Sequence, residues 1–143
     1  MTALDTLVPG PVLRSPELAR LSPVGGKWLV ENRFTPLRFT AFRVLENSGI
    51  VCGVYLITDE EDRVRWLGQA CRNDDLVQRL ANHHRKPTRR AVFASVRILH
   101  LIDHTPQQAL NAIEGRCADL LKLREQMGRR RWPSSEGWLE AVT

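Results

Sequence analysis

Two kinds of hydrophobic spacing run along this chain, and they predict its elements. "GIVCGVYLIT" (49–58) is a continuous β-branched and aromatic run, and "RVRWLG" (63–68) alternates apolar with polar. Both predict strands, with the acidic "DEED" (59–62) as the turn between them. If that turn centres on Glu60-Glu61, Ile57 faces Val64 and Tyr55 faces Trp66, so the two aromatic rings stand side by side on one sheet face. "AVFASVRILHLI" (91–102) predicts a third strand, apolar enough to be central.

Helical spacing appears in three other places. In "TPLRFTAFRVLENSG" (35–49), Leu37, Ala41, Val44 and Leu45 share a face. Thr35 is a candidate N-cap, Pro36 suits the first helical position, and Asn47-Ser48-Gly49 is a stop. A second helix, with the stripe Leu76, Val77, Leu80 and Ala81, starts from Asn73 or Asp74 and runs to about Arg85. A third is opened by "TPQQ" (105–108), in which Thr105 and Gln108 form a capping box, and runs to about Met127 before Gly128.

The order helix, strand, strand, helix, strand, helix predicts an α/β (α+β) fold: a small three-stranded, largely antiparallel sheet flanked by helices. This domain, with its leading helix, spans 35–128. Residues 1–34 are punctuated by Pro9, Pro11, Pro16, Pro23, Gly10, Gly25 and Gly26 and predict an irregular N-terminal arm. Residues 129–143 hold Trp132 and Trp138 without a clear period and predict a C-terminal tail. A length of 143 residues suits one domain with a core of its own.

Composition excludes several classes. At 43% hydrophobic and 26% charged the chain is globular rather than disordered. No apolar run approaches the roughly 18 residues a membrane span needs, and "MTALDTLVPGPVL" lacks the regions of a signal peptide. A cytoplasmic protein with no membrane partner is expected. Cys52, Cys71 and Cys117 are odd in number, far apart and without a CxxC pair, so neither a disulfide framework nor a zinc site is indicated, and reduced thiols are expected.

The net charge of +5 is unevenly spread. Base collects in "RKPTRR" (85–90) and "KLREQMGRRR" (122–131), which suggests a polyanionic partner: DNA, with RNA as the alternative. Arg72, Arg85, Lys86, Arg89 and Arg90 are the candidate contacts. The arm and the tail are candidate surfaces for a homodimer or another protein partner.

Five side chains carry candidate chemistry. Glu114 lies on the apolar stripe of the last helix with Leu110, Cys117 and Leu121, where a carboxylate needs a salt bridge, Arg79 being a candidate, or a cation. Arg79 and His83 lie four apart, on one face of the middle helix. With Tyr55 and Trp66 they would offer a phenol, a guanidinium, an imidazole and a carboxylate, the parts needed to hydrolyse a phosphodiester with one metal ion. That convergence requires the last helix to cover the sheet face that bears Tyr55.

"GVY" (53–55), ten residues, then "WLG" (66–68), followed by Arg79 and His83 in "LVQRLANHH" and Glu114 in "ALNAIEGRC", resembles the GIY-YIG nuclease family over roughly residues 50–125. The resemblance implies a compact sheet flanked by helices and a metal-dependent DNA endonuclease. By the same resemblance Tyr55 would be the general base or a relay to it, Arg79 would neutralise charge on the phosphorane, and His83 would accept or pass on the proton. Glu114 would hold one Mg²⁺ or Mn²⁺. The chain departs from the pattern at Trp66, where the family usually has tyrosine and an indole cannot relay a proton. It also lacks the asparagine that many members carry after the glutamate. A catalytically retired nucleic-acid-binding module, in which Trp66 stacks on a base, and a nuclease toxin or defence component working with a partner are the alternative readings.

Overall fold

Four strands, β1 (Leu29–Arg38), β2 (Cys52–Thr58), β3 (Val64–Ala70) and β4 (Ser95–Leu101), form one antiparallel sheet in the order β1–β4–β2–β3 in a computed structural model that describes residues 8–128 and 132–143. Residues 1–7 of the expected arm, and Arg129, Arg130 and Arg131 of the second basic run and the tail, lie outside the described residues. The helices are α1 (Ser15–Leu21), α2 (Leu76–His84), α3 (Pro87–Val92), α4 (Gln107–Leu120), α5 (Leu123–Met127) and α6 (Trp138–Val142). The class is the expected α+β, with one strand more than the three expected. Among the described residues no helix is long and apolar enough to cross a membrane.

The additional strand is β1, which crosses the expected boundary at residue 34. It pairs with β4 through two register shifts, between Leu29 and Glu31 and between Arg33 and Leu37. These bulges break the two-residue alternation, so no strand period is visible in the sequence. Pro36 lies within the second bulge on an edge strand, where its missing N–H costs no ladder bond. The helix expected from Thr35 is therefore absent. A 3₁₀ segment, Phe39–Asn47, follows the strand and buries Phe39, Phe42 and Leu45 at three-residue spacing, as a helix of three residues per turn requires.

From Gly53 to Ile57, each residue of β2 pairs with a β3 partner two positions later than expected, as the turn centres one residue further on. Tyr55 pairs with Gly68 and Ile57 with Trp66. The turn is wider than a two-residue hairpin: Asp59 N–H donates to Arg63 O at 3.0 Å, and Asp62 takes the left-handed region at φ 60°. Asp59 fixes this loop by accepting from the N–H groups of Glu61 and Arg63 and from Arg65 Nε. A shift of two preserves the face of every side chain, so Tyr55 and Trp66 still share one.

The sheet separates two cores. On one face Tyr55, Ile57, Trp66, Val96 and Ile98 pack against Phe39, Phe42, Leu76, Leu80 and Phe93. On the other, Val54, Leu56, Leu67, Leu99 and Leu101 pack against Leu110, Ile113, Cys117 and Ala118 of α4, with Leu21 of α1 and Val142 of α6. Trp132 joins the second core and donates Nε1–H to Leu67 O at 3.0 Å, and Trp138 donates to Val24 O at 2.8 Å. The described parts of arm and tail are thus packed onto the chain's own core.

Three helix boundaries also differ from expectation. The N-cap of α2 is Asp75, which accepts from Gln78 N–H. No Thr105–Gln108 capping box forms, because the Thr105 hydroxyl donates back to Ile102 O at 2.6 Å and α4 begins after Pro106. Lys122, at φ 57°, breaks the expected long helix into α4 and α5.

Candidate functional site

Tyr55 is fully buried in the middle of β2, and its phenol oxygen lies over Gly68 on the edge strand β3. A Cβ at Gly68 would stand 2.5 Å from that oxygen, and one at Gly53 would stand 2.5 Å from Leu99 O. The glycine of each triplet is therefore a packing requirement: one admits the phenol, the other admits the neighbouring strand.

Above the phenol, α2 supplies His83. Tyr55 Oη and His83 Nε2 are 2.9 Å apart, and the other ring nitrogen, Nδ1, is 2.9 Å from Arg89 Nη1 on α3. A guanidinium can only donate. Nδ1 must then be the acceptor, so His83 is neutral with its proton on Nε2, and that N–H donates to the phenol oxygen. The Arg79 guanidinium, from the preceding turn of α2, interacts electrostatically with the same phenol and pairs with Asp74 at 3.1 Å. Burial alone would lower the pKa of this guanidinium, but Tyr55 and Asp74 outweigh it and raise it, which holds Arg79 charged. Tyr55 Oη is thus bonded by His83 and lies in the field of the Arg79 guanidinium.

Trp66 closes the site's flank. Its ring lies edge-on to His83 with centroids 4.6 Å apart, and the Arg89 guanidinium sits 4.3 Å above it. Only 9% of the residue is exposed. The expectation that this indole stacks on a base is corrected: one face is taken by Arg89 and the edge by His83. His84 points the other way and packs against Phe39 and Phe42.

Glu114 reaches the sheet from the other face. It is buried on α4 within the Leu110, Ile113 and Cys117 stripe. Its Oε1 accepts from Gln69 Nε2 at 2.7 Å, and Gln69 projects to the face opposite Gly68. The expected convergence on one face is therefore corrected: Tyr55, Trp66, Arg79 and His83 gather on the α2 face, and Glu114 does not join them there. The physical reason is that the α4 stripe fixes which residues are buried but not which side of the sheet the helix takes. The two groups approach the same edge strand at consecutive residues, Gly68 and Gln69. The suggested salt bridge between Glu114 and Arg79 does not form, since Arg79 is engaged by Asp74 and Tyr55.

Amides surround the carboxylate. Gln69 Nε2 also donates to Asn111 Oδ1, and Gln107 Nε2 donates to Gln69 Oε1 and to Asn111 Oδ1. Gln107, Asn111 and Glu114 descend one face of α4 from solvent to core, and Gln69 ties them to β3. Sequence reasoning did not single out Gln69, Asn111 or Gln107; their spacing of four and three on α4 was the available signal. Arg89, expected as a nucleic-acid contact, is half-buried, with its guanidinium bonded to His83 and lying over Trp66. Among the described residues no three His, Cys, Asp or Glu side chains gather into a metal-binding cluster.

Of the basic candidates, Arg72, Arg85, Lys86 and Arg90 are exposed around α2 and α3. Arg85 bonds Asn82, and Arg90 donates to His84 O at 2.6 Å. Comparison with protein-family models, with curated proteins and with solved structures gave no match to this chain.

Proposed function

We propose that the chain is a divalent-metal-dependent endonuclease, similar to the GIY-YIG type, that hydrolyses DNA phosphodiesters. The observation that carries this reading is the phenol oxygen of Tyr55 bonded by the Nε2–H of His83, with the charged Arg79 guanidinium interacting with the same phenol. A core built for stability alone would fill this space with an apolar side chain, because a buried polar network is costly unless every member is satisfied. In this reading Tyr55 is the proton acceptor for water or a relay to one, Arg79 neutralises charge that develops on the phosphorane, and His83 passes the proton on. Arg72, Arg85, Lys86 and Arg90 hold the flanking phosphates.

Glu114 and the Asn111 amide oxygen both accept from Gln69 Nε2; a hard cation such as Mg²⁺ or Mn²⁺ would be held by these two oxygens in place of that amide N–H₂. Such an ion would supply charge stabilisation at the phosphate. Plasmid DNA incubated with Mg²⁺ or Mn²⁺ tests the proposal: wild type should nick or linearise it, and Glu114→Gln and Arg79→Ala should lose at least 100-fold in rate. Equal cutting by all three proteins would assign the activity to a contaminant.

A second reading, a nucleic-acid-binding module without catalysis, is favoured by the zero exposure of Tyr55 and by the position of Glu114 on the opposite face. DNA binding that survives Glu114→Gln, with no cleavage under either metal, would decide for it.

A further inference from the structure

The β2–β3 ladder pairs Gly53 with Ala70, and one step further along it stand Cys52 and Cys71. Cys71 turns its backbone outward: its N–H donates to Asp74 O and its C=O accepts from Asp74 N–H, both at 3.1 Å. Cys52 is paired with Leu101 on the far side of β2. Both backbones spend their hydrogen bonds away from each other, so the two cysteines form a non-hydrogen-bonded cross-strand pair. In such pairs the Cα atoms approach to about 4.5 Å with side chains on one face, within the roughly 4.4–6.8 Å that a disulfide spans. Neither is in a disulfide; Cys52 is buried, with its Sγ–H donating to Asp103 O at 3.1 Å, and Cys71 is half-buried. Their proximity also registers electrostatically: burial raises the pKa of the Cys52 thiol, and Cys71 and Asp103 raise it further.

We infer that Cys52 and Cys71 are an oxidation site, a thiol pair placed to close into an intrachain disulfide that staples the base of the β2–β3 hairpin. A low-molecular-weight disulfide is the oxidant. The Cys71 thiolate, the accessible one, attacks a sulfur of that disulfide, forms a mixed disulfide and releases one small thiol. Cys52 then loses its proton to solvent and attacks the Cys71 sulfur, which forms the intrachain bond and expels the second small thiol. The two protein thiols lose two electrons and the small disulfide gains them. The raised pKa of Cys52 makes the second step slow at neutral pH and faster as pH rises. Closure fixes the Cys71–Asp74 turn from which Asp74 holds Arg79, so the redox state of the hairpin reaches the phenol site through one turn of chain.

The test needs no assumption about DNA cleavage. Wild-type protein is treated with oxidised glutathione, quenched in acid, alkylated and analysed by mass spectrometry. Two of the three thiols should disappear, with the loss of two hydrogens from the intact mass and a peptide linking 52 to 71. Cys117, fully buried, should be alkylated only after denaturation. The thermal midpoint should rise by several degrees and return on reduction. In Cys52→Ser a glutathione adduct on Cys71 should persist. Three intact thiols, a lasting glutathione adduct on wild-type Cys71, or a disulfide between two chains would each overturn the inference.

Discussion

The two faces of the central sheet are held together by different physics. Toward α4, Val54, Leu56, Leu67, Leu99 and Leu101 meet Leu110, Ile113 and Cys117, and buried polar groups stand at the margins of that aliphatic layer: Glu114 bonded to Gln69, and Arg97 of β4 bonded to Phe34 O and Thr58 Oγ1. Toward α2 and α3, the centre of the core is itself polar: Tyr55, His83 and Arg89 are joined by hydrogen bonds, with Arg79 interacting with the phenol, beneath a cover of Phe39, Phe42 and Phe93. The aliphatic layer of the first face is specified by volume, which tolerates a change of shape at constant size. The second is specified by donors and acceptors, and a partner removed there leaves another buried polar atom unsatisfied.

The largest effect should come from the glycines that leave room on the polar face. A Cβ at Gly53 would meet backbone, Leu99 O at 2.5 Å, whereas a Cβ at Gly68 would meet a side chain, Tyr55 Oη at the same distance. Backbone in the middle of a sheet cannot retreat. Gly53→Ala is therefore expected to cost about 3 kcal/mol or more, at or above the usual range for overpacking, and Gly68→Ala less. Denaturant unfolding of both variants checks the order. A Gly68→Ala penalty that vanishes in a Tyr55→Leu background would assign it to the phenol.

A matched pair of substitutions compares the faces directly. Ile113→Leu on the α4 face conserves volume and should cost less than about 1.5 kcal/mol. His83→Leu on the other face keeps an apolar body of similar bulk but removes one hydrogen bond to Tyr55 and one from Arg89, and should cost about 2–3 kcal/mol. Equal penalties would mean that the polar network contributes no more than its packing.

This asymmetry explains what was legible in the sequence. The hairpin, β4, α2 and α4 follow from local spacing, because each keeps one period over its own length. β1 is hidden by its two bulges. The sharing of a face by Tyr55 and Trp66 survives a turn of the wrong length, since a slip of two residues conserves the face while changing the partner from Trp66 to Gly68. The burial of Glu114 follows from Leu110 and Cys117 on either side, but the side of the sheet that α4 covers is decided by long-range packing that no window of sequence contains. The pairing of Cys52 with Cys71 is invisible for a related reason: it is set by hairpin register and not by spacing in a motif.

The hairpin turn, which belongs to neither face, offers a smaller effect read through pH. Burial pushes the Asp59 pKa up, but the hydrogen bonds from Arg65 and from the N–H groups of Arg63 and Glu61 outweigh it and hold the carboxyl below its ordinary value of 3.8. With the folded-state pKa depressed, the stabilisation is complete above pH 3.8 and is lost as pH falls through the lower folded-state value. Asp59→Asn should lose about 1–2 kcal/mol at neutral pH and show a shallower acid unfolding curve than wild type below about pH 4. Parallel acid curves for the two proteins would show that the carboxylate's charge does not hold the turn.

The smallest effect isolates the order of command within the polar face. Arg89 lies over Trp66 and donates to His83 Nδ1, so it fixes the histidine as the Nε2–H tautomer that in turn donates to Tyr55. Arg89→Ala should lose only about 1 kcal/mol, the size of a half-exposed cation–π contact, yet it should disturb the proton's position far more than the fold. Nitrogen-15 shifts of the His83 ring should report a single Nε2–H form in wild type and a mixture of tautomers in the variant. If the ring keeps its proton on Nε2 without Arg89, the phenol alone dictates the tautomer. The guanidinium would then be a lid over Trp66, and the chain of donors leading to Tyr55 would begin at His83.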